Sequence, residues 1–292
     1  MGQTGAAMTY KELYEFGKIK LAEAGIAEAA LDARLLLEYI CHTDRNELIV
    51  HAERERSDME EQFYRVLIEK RASRIPLQHI TGEQEFMGLC FKVNQHTLIP
   101  RQDTEILVEE ALHRLGDGMR ILDMCTGSGC ILLSLLKYSN ECEGIGIDIS
   151  EKALAVAREN AERLQLDAVF LEGDLFSPLE GFVSERTTDR LFDMIVSNPP
   201  YIETAVIETL MPEVRDHEPA AALDGREDGL YFYRRIIAQA PLHMRKGAHL
   251  LFEIGCGQGD MVMSLMREAG FEQVGLFQDY AGLNRVVCGT KR

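Results

Sequence analysis

Several features are scarce or missing in this sequence of 292 residues. It contains no Trp and no run of eighteen apolar residues, so no segment is predicted to cross a membrane. Its first residues, MGQTGAAMTY, lack the basic and apolar regions of a signal peptide, and its seven cysteines include no Cys-x-x-Cys pair. We therefore expect a soluble cytoplasmic protein with reduced cysteines.

Basic residues are also scarce relative to acidic ones. The formal net charge is −17, and residues 95–292 contain 19 Lys and Arg against 32 Asp and Glu. A surface that binds a nucleic-acid duplex needs clustered Lys and Arg to neutralise the phosphates. The acidic balance therefore favours a protein or a small molecule over nucleic acid as the substrate.

The first quarter of the chain shows only helical patterns. Two Ser/Thr-x-x-Glu segments, which begin at Thr9 and Ser57, fit capping boxes, and apolar residues recur at helical spacing. We predict a small all-α bundle of four or five helices over residues 1–75. A hairpin linker is expected over residues 76–96, because β-type residues there are interrupted by glycines.

Short apolar strands alternate with helices from Arg120 onward. This alternation predicts an α/β, Rossmann-like domain over residues 97–292, with a largely parallel sheet covered by helices on both faces. No helix is predicted between the last two strands, so the mixed seven-stranded sheet should end in an antiparallel strand. The predicted strands lie near residues 119–123, 143–147, 168–172, 191–197, 247–254, 272–278 and 285–290.

The segment Ile121–Ile131 has the pattern of a strand, a glycine turn and a helix start. Gly127 and Gly129 would let the backbone approach a ligand more closely than any side chain allows. A dinucleotide-binding fingerprint would require another glycine three positions after Gly129, where the sequence has Leu132. NAD is therefore disfavoured as the ligand.

Aspartates follow the next two predicted strands. Asp148 comes 21 residues after Gly127, where a carboxylate can accept hydrogen bonds from both hydroxyls of a ribose. Asp174 follows the third strand and can reach an adenine amine. Either Asp alone could instead cap a helix. Three successive strand ends that carry Gly, Asp and Asp nevertheless favour a nucleoside cofactor.

The fourth strand ends in Asn198-Pro199-Pro200-Tyr201. Each proline lacks an N–H group, so the carbonyl groups of Asn198 and Pro199 are less engaged in local hydrogen bonds and can face a ligand. With the side-chain oxygen of Asn198 they would form an acceptor-rich pocket for a planar –NH2 group, and Tyr201 would supply a flat apolar wall. The alternative interpretation is a plain proline-rich turn.

This Asn-Pro-Pro-Tyr segment resembles the signature of S-adenosylmethionine-dependent methyltransferases that act on amide or exocyclic amine nitrogens. Nearly the whole chain resembles one family, the protein-(glutamine-N5) methyltransferases of peptide chain release factors, called PrmC or HemK. The segments that match this family are Pro100–Glu105, Asp123–Gly129, Ser197–Ile202, Glu218-Pro219 and Asp228–Leu230. Cys125 departs from the pattern, since the family usually has glycine at this position of the first turn.

The resemblance implies a class I methyltransferase domain with S-adenosylmethionine as cofactor and no metal. The cofactor-binding residues that it implies are Asp123, Cys125, Thr126, Gly127, Ser128, Gly129, Asp148, Ile149, Asp174, Leu175 and Asn198. The predicted catalytic residues are Asn198, Pro199 and Tyr201, and the predicted substrate-binding residues are these three with Pro200 and Arg101. The implied substrate is the glutamine of the Gly-Gly-Gln motif in class-I peptide chain release factors, which the helical bundle would help to grip. Neither a direct nucleic-acid partner nor a membrane is expected.

Two other functions remain open at this point. A nucleic-acid adenine methyltransferase could use the same Asn-Pro-Pro-Tyr chemistry on a flipped base. A non-catalytic partner protein would bind S-adenosylmethionine without transferring its methyl group. Farther along, Glu253–Gly259 looks like a second glycine loop, but it follows the fifth strand and is interpreted as a tight strand-to-helix turn.

Overall fold

The computed structural model describes residues 7–180 and 191–292. Contacts between residues divide the chain into two compact units. The first, the helical unit, comprises the residues up to Gly82 together with Met211–His217, and the second, the sheet unit, comprises Glu83–Leu210 and Glu218–Arg292. In the part of the chain that the structure describes, no helix is both long and apolar enough to cross a membrane.

Five helices form most of the helical unit. They are α1 (Tyr10–Glu23), α2 (Ala29–Cys41), α3 (Arg45–Val50), α4 (Asp58–Ala72) and α5 (Leu77–Thr81). The capping boxes expected at Thr9 and Ser57 are both present and begin α1 and α4. Helix α5 begins two residues beyond the predicted end of the bundle at residue 75, and it contacts α2 and α4.

A buried ion-pair network connects three segments of the helical unit. Arg71 on α4 donates from Nε to Asp32 Oδ2 at 2.7 Å and from Nη2 to Glu213 Oε1 at 3.1 Å. Arg71 and Asp32 are both buried, so each charge requires the other to offset the loss of water. Glu213 lies far along the chain, in the segment Met211–His217, and this contact helps to explain why that segment belongs to the helical unit.

The sheet unit begins with an antiparallel hairpin, β1 (Glu83–Phe86) and β2 (Leu89–Lys92). Its large sheet contains β3 (Arg120–Met124), β4 (Glu143–Asp148), β5 (Val169–Glu172), β6 (Phe192–Ser197), β7 (Met244–Glu253), β8 (Phe271–Gln278) and β9 (Asn284–Lys291). The remaining α-helices of the described residues are α6 (Glu105–Leu112), α7 (Cys130–Lys137), α8 (Glu151–Leu164), α9 (Thr204–Ile207), α10 (Pro212–Arg215, in the helical unit), α11 (Ala220–Leu223), α12 (Tyr231–His243) and α13 (Gly259–Glu268).

The sheet has the strand order β5-β4-β3-β6-β7-β9-β8. Strands β3 to β7 are parallel to one another, whereas β9 is antiparallel to both β7 and β8. The predicted mixed seven-stranded sheet with an antiparallel last strand is therefore confirmed. Neighbouring residues such as Ile121 and Leu122 belong to different apolar clusters, because successive side chains of a strand point to opposite faces.

The strand order determines where a ligand can bind. The chain proceeds from β3 to β4 on one side and returns to β6 on the other, so β3 and β6 flank the point where the order reverses. In open α/β sheets, a crevice forms at this point beyond the carboxyl ends of the strands. Met124 at the end of β3 pairs with Ser197 at the end of β6, which brings the glycine turn beside the Asn-Pro-Pro-Tyr loop.

Candidate active site

A cavity of about 450 Å³ lies in the sheet unit, beyond the carboxyl ends of β3 to β6. This volume is within the range of small-molecule and cofactor sites. The predicted site residues that line it are Arg101, Cys125, Thr126, Gly127, Ser128, Asp148, Ile149, Asp174, Leu175, Asn198 and Pro200. Four other predicted residues, Asp123, Gly129, Pro199 and Tyr201, do not line it, and their roles in binding remain predictions.

The glycine turn after β3 has three residues with positive φ. They are Cys125 at 60°, Gly127 at 55° and Gly129 at 79°. A Cβ atom built on Gly127 would have no heavy atom within 4 Å, so protein does not fill the space beside this residue. The left-handed conformation of Cys125 favours glycine, which gives a physical reason for the family's usual residue at this position.

The buried side chain of Asp123 contacts this turn. Its carboxylate is fully buried and accepts a hydrogen bond from Thr126 Oγ1 at 2.6 Å. The other oxygen, Oδ1, has no hydrogen-bond partner among the described residues. Burial raises the pKa of Asp123 to about 7. The contact with Thr126 fixes the start of the turn.

Asp148 is held at the cavity by two backbone groups. Its Oδ2 accepts from the N–H of Gly127 at 2.9 Å, and its Oδ1 accepts from the N–H of Ser150 at 2.9 Å. Burial raises the pKa of this carboxyl above its ordinary value. Ser150, and not Asp148, caps α8, because the Ser150 side chain accepts from the N–H of Ala153. The helix-cap alternative is therefore wrong for Asp148.

The third strand end carries an ion pair that the sequence did not reveal. Both carboxylate oxygens of Asp174 accept hydrogen bonds from Arg235 on α12, at 2.9 and 2.8 Å. A bidentate pair of this kind fixes the plane of the carboxylate. Between Asp148 and Asp174, Ile149 is 64% exposed and borders the cavity, although it is a large apolar residue.

Asn198 stands at the end of β6, and a buried hydrogen bond anchors its neighbour Ser197. The Ser197 hydroxyl donates to the Met124 carbonyl at 2.7 Å and ties β6 to the end of β3. The Asn198 amide nitrogen donates to Thr104 Oγ1 at 3.4 Å. No donor among the described residues reaches its Oδ1, so this oxygen is available to a ligand of the cavity that Asn198 lines.

Tyr201 ends the loop and contacts the turn between β7 and α13. Its hydroxyl donates to Glu253 Oε1 at 3.2 Å, and its carbonyl accepts from Gln258 Nε2 at 3.0 Å. Burial raises the pKa of the Tyr201 phenol and also that of the Glu253 carboxyl. The interpretation of Glu253–Gly259 as a strand-to-helix turn is confirmed. Its contacts with Tyr201 were missed, because the sequence shows only a glycine-rich segment.

Arg101 reaches the cavity from the segment before α6. Its Nη2 donates to Glu218 Oε1 at 2.6 Å, and the Glu218 side chain is almost completely buried. Burial raises the pKa of Glu218 despite the nearby guanidinium. This contact unites two of the segments on which the family resemblance rests, and it holds one cationic side chain at the cavity wall.

Known proteins resemble this chain over nearly its full length. Residues 12–82 match the family model of the PrmC N-terminal domain, and residues 115–223 match a methyltransferase domain. The release factor glutamine methyltransferase of Geobacter sulfurreducens is 42% identical over 281 residues, which is 96% of each chain. The protein of the same name from Caulobacter vibrioides is 40% identical over 288 residues, which is 97% of each chain.

A solved structure has the same fold as the sheet unit. A methyltransferase from Pyrococcus furiosus aligns with a TM-score of 0.52 at 16% identity, over 76% of this chain and 98% of that one. The glycine turn, the acidic strand ends and the Asn-Pro-Pro-Tyr loop stand in this fold around one cavity. Together with the identity of 42% to a full-length relative, these features show that the chain belongs to the release factor glutamine methyltransferase family.

Proposed function

We propose that this protein transfers a methyl group from S-adenosylmethionine to the side-chain amide nitrogen of the glutamine in the Gly-Gly-Gln motif of a class-I peptide chain release factor. The observation that carries this proposal is the state of Asn198 at the cavity. Its amide nitrogen is engaged by Thr104, whereas its Oδ1 remains available to accept a hydrogen bond from a substrate. The names of the full-length relatives support the choice of substrate.

The residues at the cavity fit S-adenosylmethionine. The space beside Gly127 is open, and each oxygen of Asp148 accepts one backbone hydrogen bond, so lone pairs remain for ribose hydroxyls. Asp174, held by Arg235, would accept the adenine amine, and Ile149 offers apolar surface to the base. Bound there, S-adenosylmethionine supplies a methyl group made electrophilic by the positive sulfur.

Asn198 and Pro199 would compensate for the weak nucleophilicity of an amide. The nitrogen lone pair of a carboxamide is delocalised into its carbonyl group, as it is in a peptide bond. Asn198 Oδ1 and the Pro199 carbonyl would accept the two N–H groups, orient the nitrogen and stabilise the positive charge that develops on it. Orientation alone can contribute on the order of 7–11 kcal/mol, so no strong base is required and the proton can pass to water after transfer.

The proposal extends to the binding partner and the cellular compartment. The helical unit would help to bind the release factor, and the cytoplasm would be the compartment, because the proposed substrate works in translation. A net charge of −17 argues against a nucleic-acid substrate. A non-catalytic protein that only binds S-adenosylmethionine would not require an oxygen at Asn198 that is available to accept a hydrogen bond from a substrate amide.

Transfer of a labelled methyl group tests the substrate directly. The full chain is incubated with labelled S-adenosylmethionine and a purified class-I release factor, beside a release factor whose Gly-Gly-Gln glutamine is Ala, and beside DNA and RNA. We expect label on the intact factor alone. Label on nucleic acid, or on both release factors equally, would refute the proposed substrate, and no label on any of them would support the non-catalytic alternative.

Asn198→Ala tests the proposed catalytic contact. By analogy with removal of one preorganised partner of a reacting group, turnover should fall roughly 10²–10³-fold. Asn140→Ala is the matched control, because Asn140 makes an exposed contact with Asp117. Turnover close to that of the unchanged protein in Asn198→Ala would show that the role assigned to Asn198 is wrong.

A further inference from the structure

The proposed acceptors belong to a loop whose two ends must both be fixed. At the first end, Ser197 is anchored by its buried hydrogen bond to Met124. Asn198 and Pro199 follow Ser197 directly. Pro199 and Pro200 then restrict the backbone that leads from Asn198 to Tyr201. The position of Tyr201 therefore determines how accurately Asn198 and Pro199 can face a substrate.

Two side chains contact Tyr201 from different directions, Glu253 at the end of β7 and Gln258 in the turn that follows. Glu253 accepts the phenolic hydroxyl, and Gln258 donates to the backbone carbonyl. Gln258 uses its whole amide: Nε2 also donates to the Gly229 carbonyl at 3.3 Å, and Oε1 accepts from the N–H of Gly255 at 3.0 Å. An amide is the side chain that can donate to two carbonyls and accept from a backbone N–H at once.

Glycines allow the backbone to approach Tyr201 closely on a third side. A Cβ atom on Gly229 would lie 2.4 Å from the Tyr201 carbonyl oxygen and 2.6 Å from Gln258 Nε2. A Cβ atom on Gly225 would lie 2.7 Å from Tyr201 Cα. All three distances are shorter than those of real Cβ contacts. The space for Tyr201 is thus closed by backbone as well as by hydrogen bonds.

The carboxyl group of Glu253 is buried, which disfavours its charged form. It is 2% exposed, and its Oε2 has no hydrogen-bond partner among the described residues. A buried carboxyl with one unused oxygen costs free energy unless another function offsets that cost. The Tyr201 hydroxyl donates to Glu253 Oε1, and a side-chain hydrogen bond from Thr104, which also contacts Asn198, lowers the pKa of Glu253 against the effect of burial.

We propose that Glu253 and Gln258 are positioning residues for methyl transfer, which fix Tyr201 and thereby the acceptor groups of Asn198 and Pro199. This inference rests on the proposed function. Neither residue lines the cavity, so their removal should leave cofactor binding intact while the amide acceptors lose their alignment. Displacement of a reacting group by about 1 Å can lower a rate roughly 10²-fold.

The first test separates turnover from binding. Gln258→Ala in the full chain should lower kcat roughly 10–100-fold, with KM for S-adenosylmethionine and its calorimetric Kd changed less than about twofold. Gln239→Ala is the control, because the one side-chain hydrogen bond of Gln239 to the described residues is to the Arg235 carbonyl of its own helix. A kcat within about twofold of the unchanged protein, or a loss explained by weaker cofactor binding or unfolding, overturns the inference.

The second test asks whether both contacts act through the same residue. Tyr201→Phe removes the hydroxyl bound by Glu253 and keeps the ring. If both contacts fix Tyr201, the double variant Tyr201→Phe/Gln258→Ala should lose less activity than the product of the two single losses. Losses that multiply would mean that the two contacts act independently, and the shared positioning role would be wrong.

Hydrogen exchange distinguishes a failure of this inference from a failure of the proposed function. Gln258→Ala should speed amide exchange at Tyr201 and Ile202, whatever the substrate proves to be, because the loop loses one of its fixed ends. Faster exchange with no methylation of a release factor by the unchanged protein would refute the substrate alone. Unchanged exchange in Gln258→Ala would refute the positioning role.

Discussion

The left-handed conformation of Cys125 predicts an inversion of a familiar stability order. Alanine usually stabilises a protein relative to glycine, because glycine gains more conformational freedom on unfolding. At a φ of 60°, however, any residue with a Cβ atom crowds the following carbonyl oxygen. We therefore expect Cys125→Gly to be more stable than Cys125→Ala.

The two effects have magnitudes that can be compared. Crowding in the left-handed region costs roughly 1–2 kcal/mol for an L-residue. The smaller backbone freedom of alanine in the unfolded chain favours alanine by about 0.4–1 kcal/mol. Both variants lose the thiol, so its packing against the apolar cluster cancels in the comparison. The glycine variant should have the larger free energy of unfolding by about 0.5–1 kcal/mol.

Urea unfolding followed by circular dichroism measures this difference without a Trp signal. Ala238→Gly provides the opposite case, because Ala238 is exposed on α12 in an ordinary helical conformation. Glycine should cost about 0.8–1.0 kcal/mol there. If Cys125→Ala proved at least as stable as Cys125→Gly, the strain assigned to this turn would be refuted.

Two further predictions concern the helical unit. Arg71→Leu should lower the free energy of unfolding by about 3–5 kcal/mol, because the buried carboxylate of Asp32 would lose its cation and Glu213 would keep only Arg74. Adding Asp32→Leu should recover part of the loss in urea unfolding. Burial alone would raise the pKa of Glu60, but its hydrogen bonds, among them those from Ser57, lower that pKa to about 2, from 4.5. The Glu60 carboxylate therefore adds to the free energy of unfolding fully above pH 4.5, and this addition is lost as the pH falls toward 2. Glu60→Gln should lower the free energy of unfolding by about 1 kcal/mol at pH 7. This difference between the two proteins should vanish when unfolding is measured in acid.

Local patterns in the sequence predicted the fold and the strand ends that meet at the cavity, whereas the family resemblance implied the other predicted lining residues. Strand periodicity, the glycines near Gly127 and the positions of Asp148 and Asn198 after strands each depend on neighbouring residues alone. Parallel strands then bring their carboxyl ends to one edge of the sheet, so local signals converge there. For this reason a single sequence could predict which residues share the cavity.

The partners of those residues could not be predicted in the same way. Arg235 is 61 positions from Asp174, Glu253 is 52 positions from Tyr201, and Glu218 is 117 positions from Arg101. Such contacts form only after the chain has folded. A single sequence contains no pattern that relates one isolated charge to another at these separations.

The assignment of Met211–His217 to the helical unit has the same origin. These residues lie in the chain between β6 and α12, which both belong to the sheet unit. Their composition resembles that of any short loop with helical turns. The ion pairs of Glu213 with Arg71 and Arg74 distinguish them, and these arginines lie about 140 residues earlier in the chain.

Because Met211–His217 belongs to the helical unit, this unit is not a module that can be exchanged by a single cut. A fragment that ends at Gly82 would contain Arg71 and Arg74 without the carboxylate of Glu213. The complementary fragment would keep the Glu213 carboxylate without Arg71 and Arg74, with which it forms ion pairs. Swapping the amino-terminal portion between relatives, whether by recombination or by design, would therefore succeed only when the seven-residue segment is transferred with it.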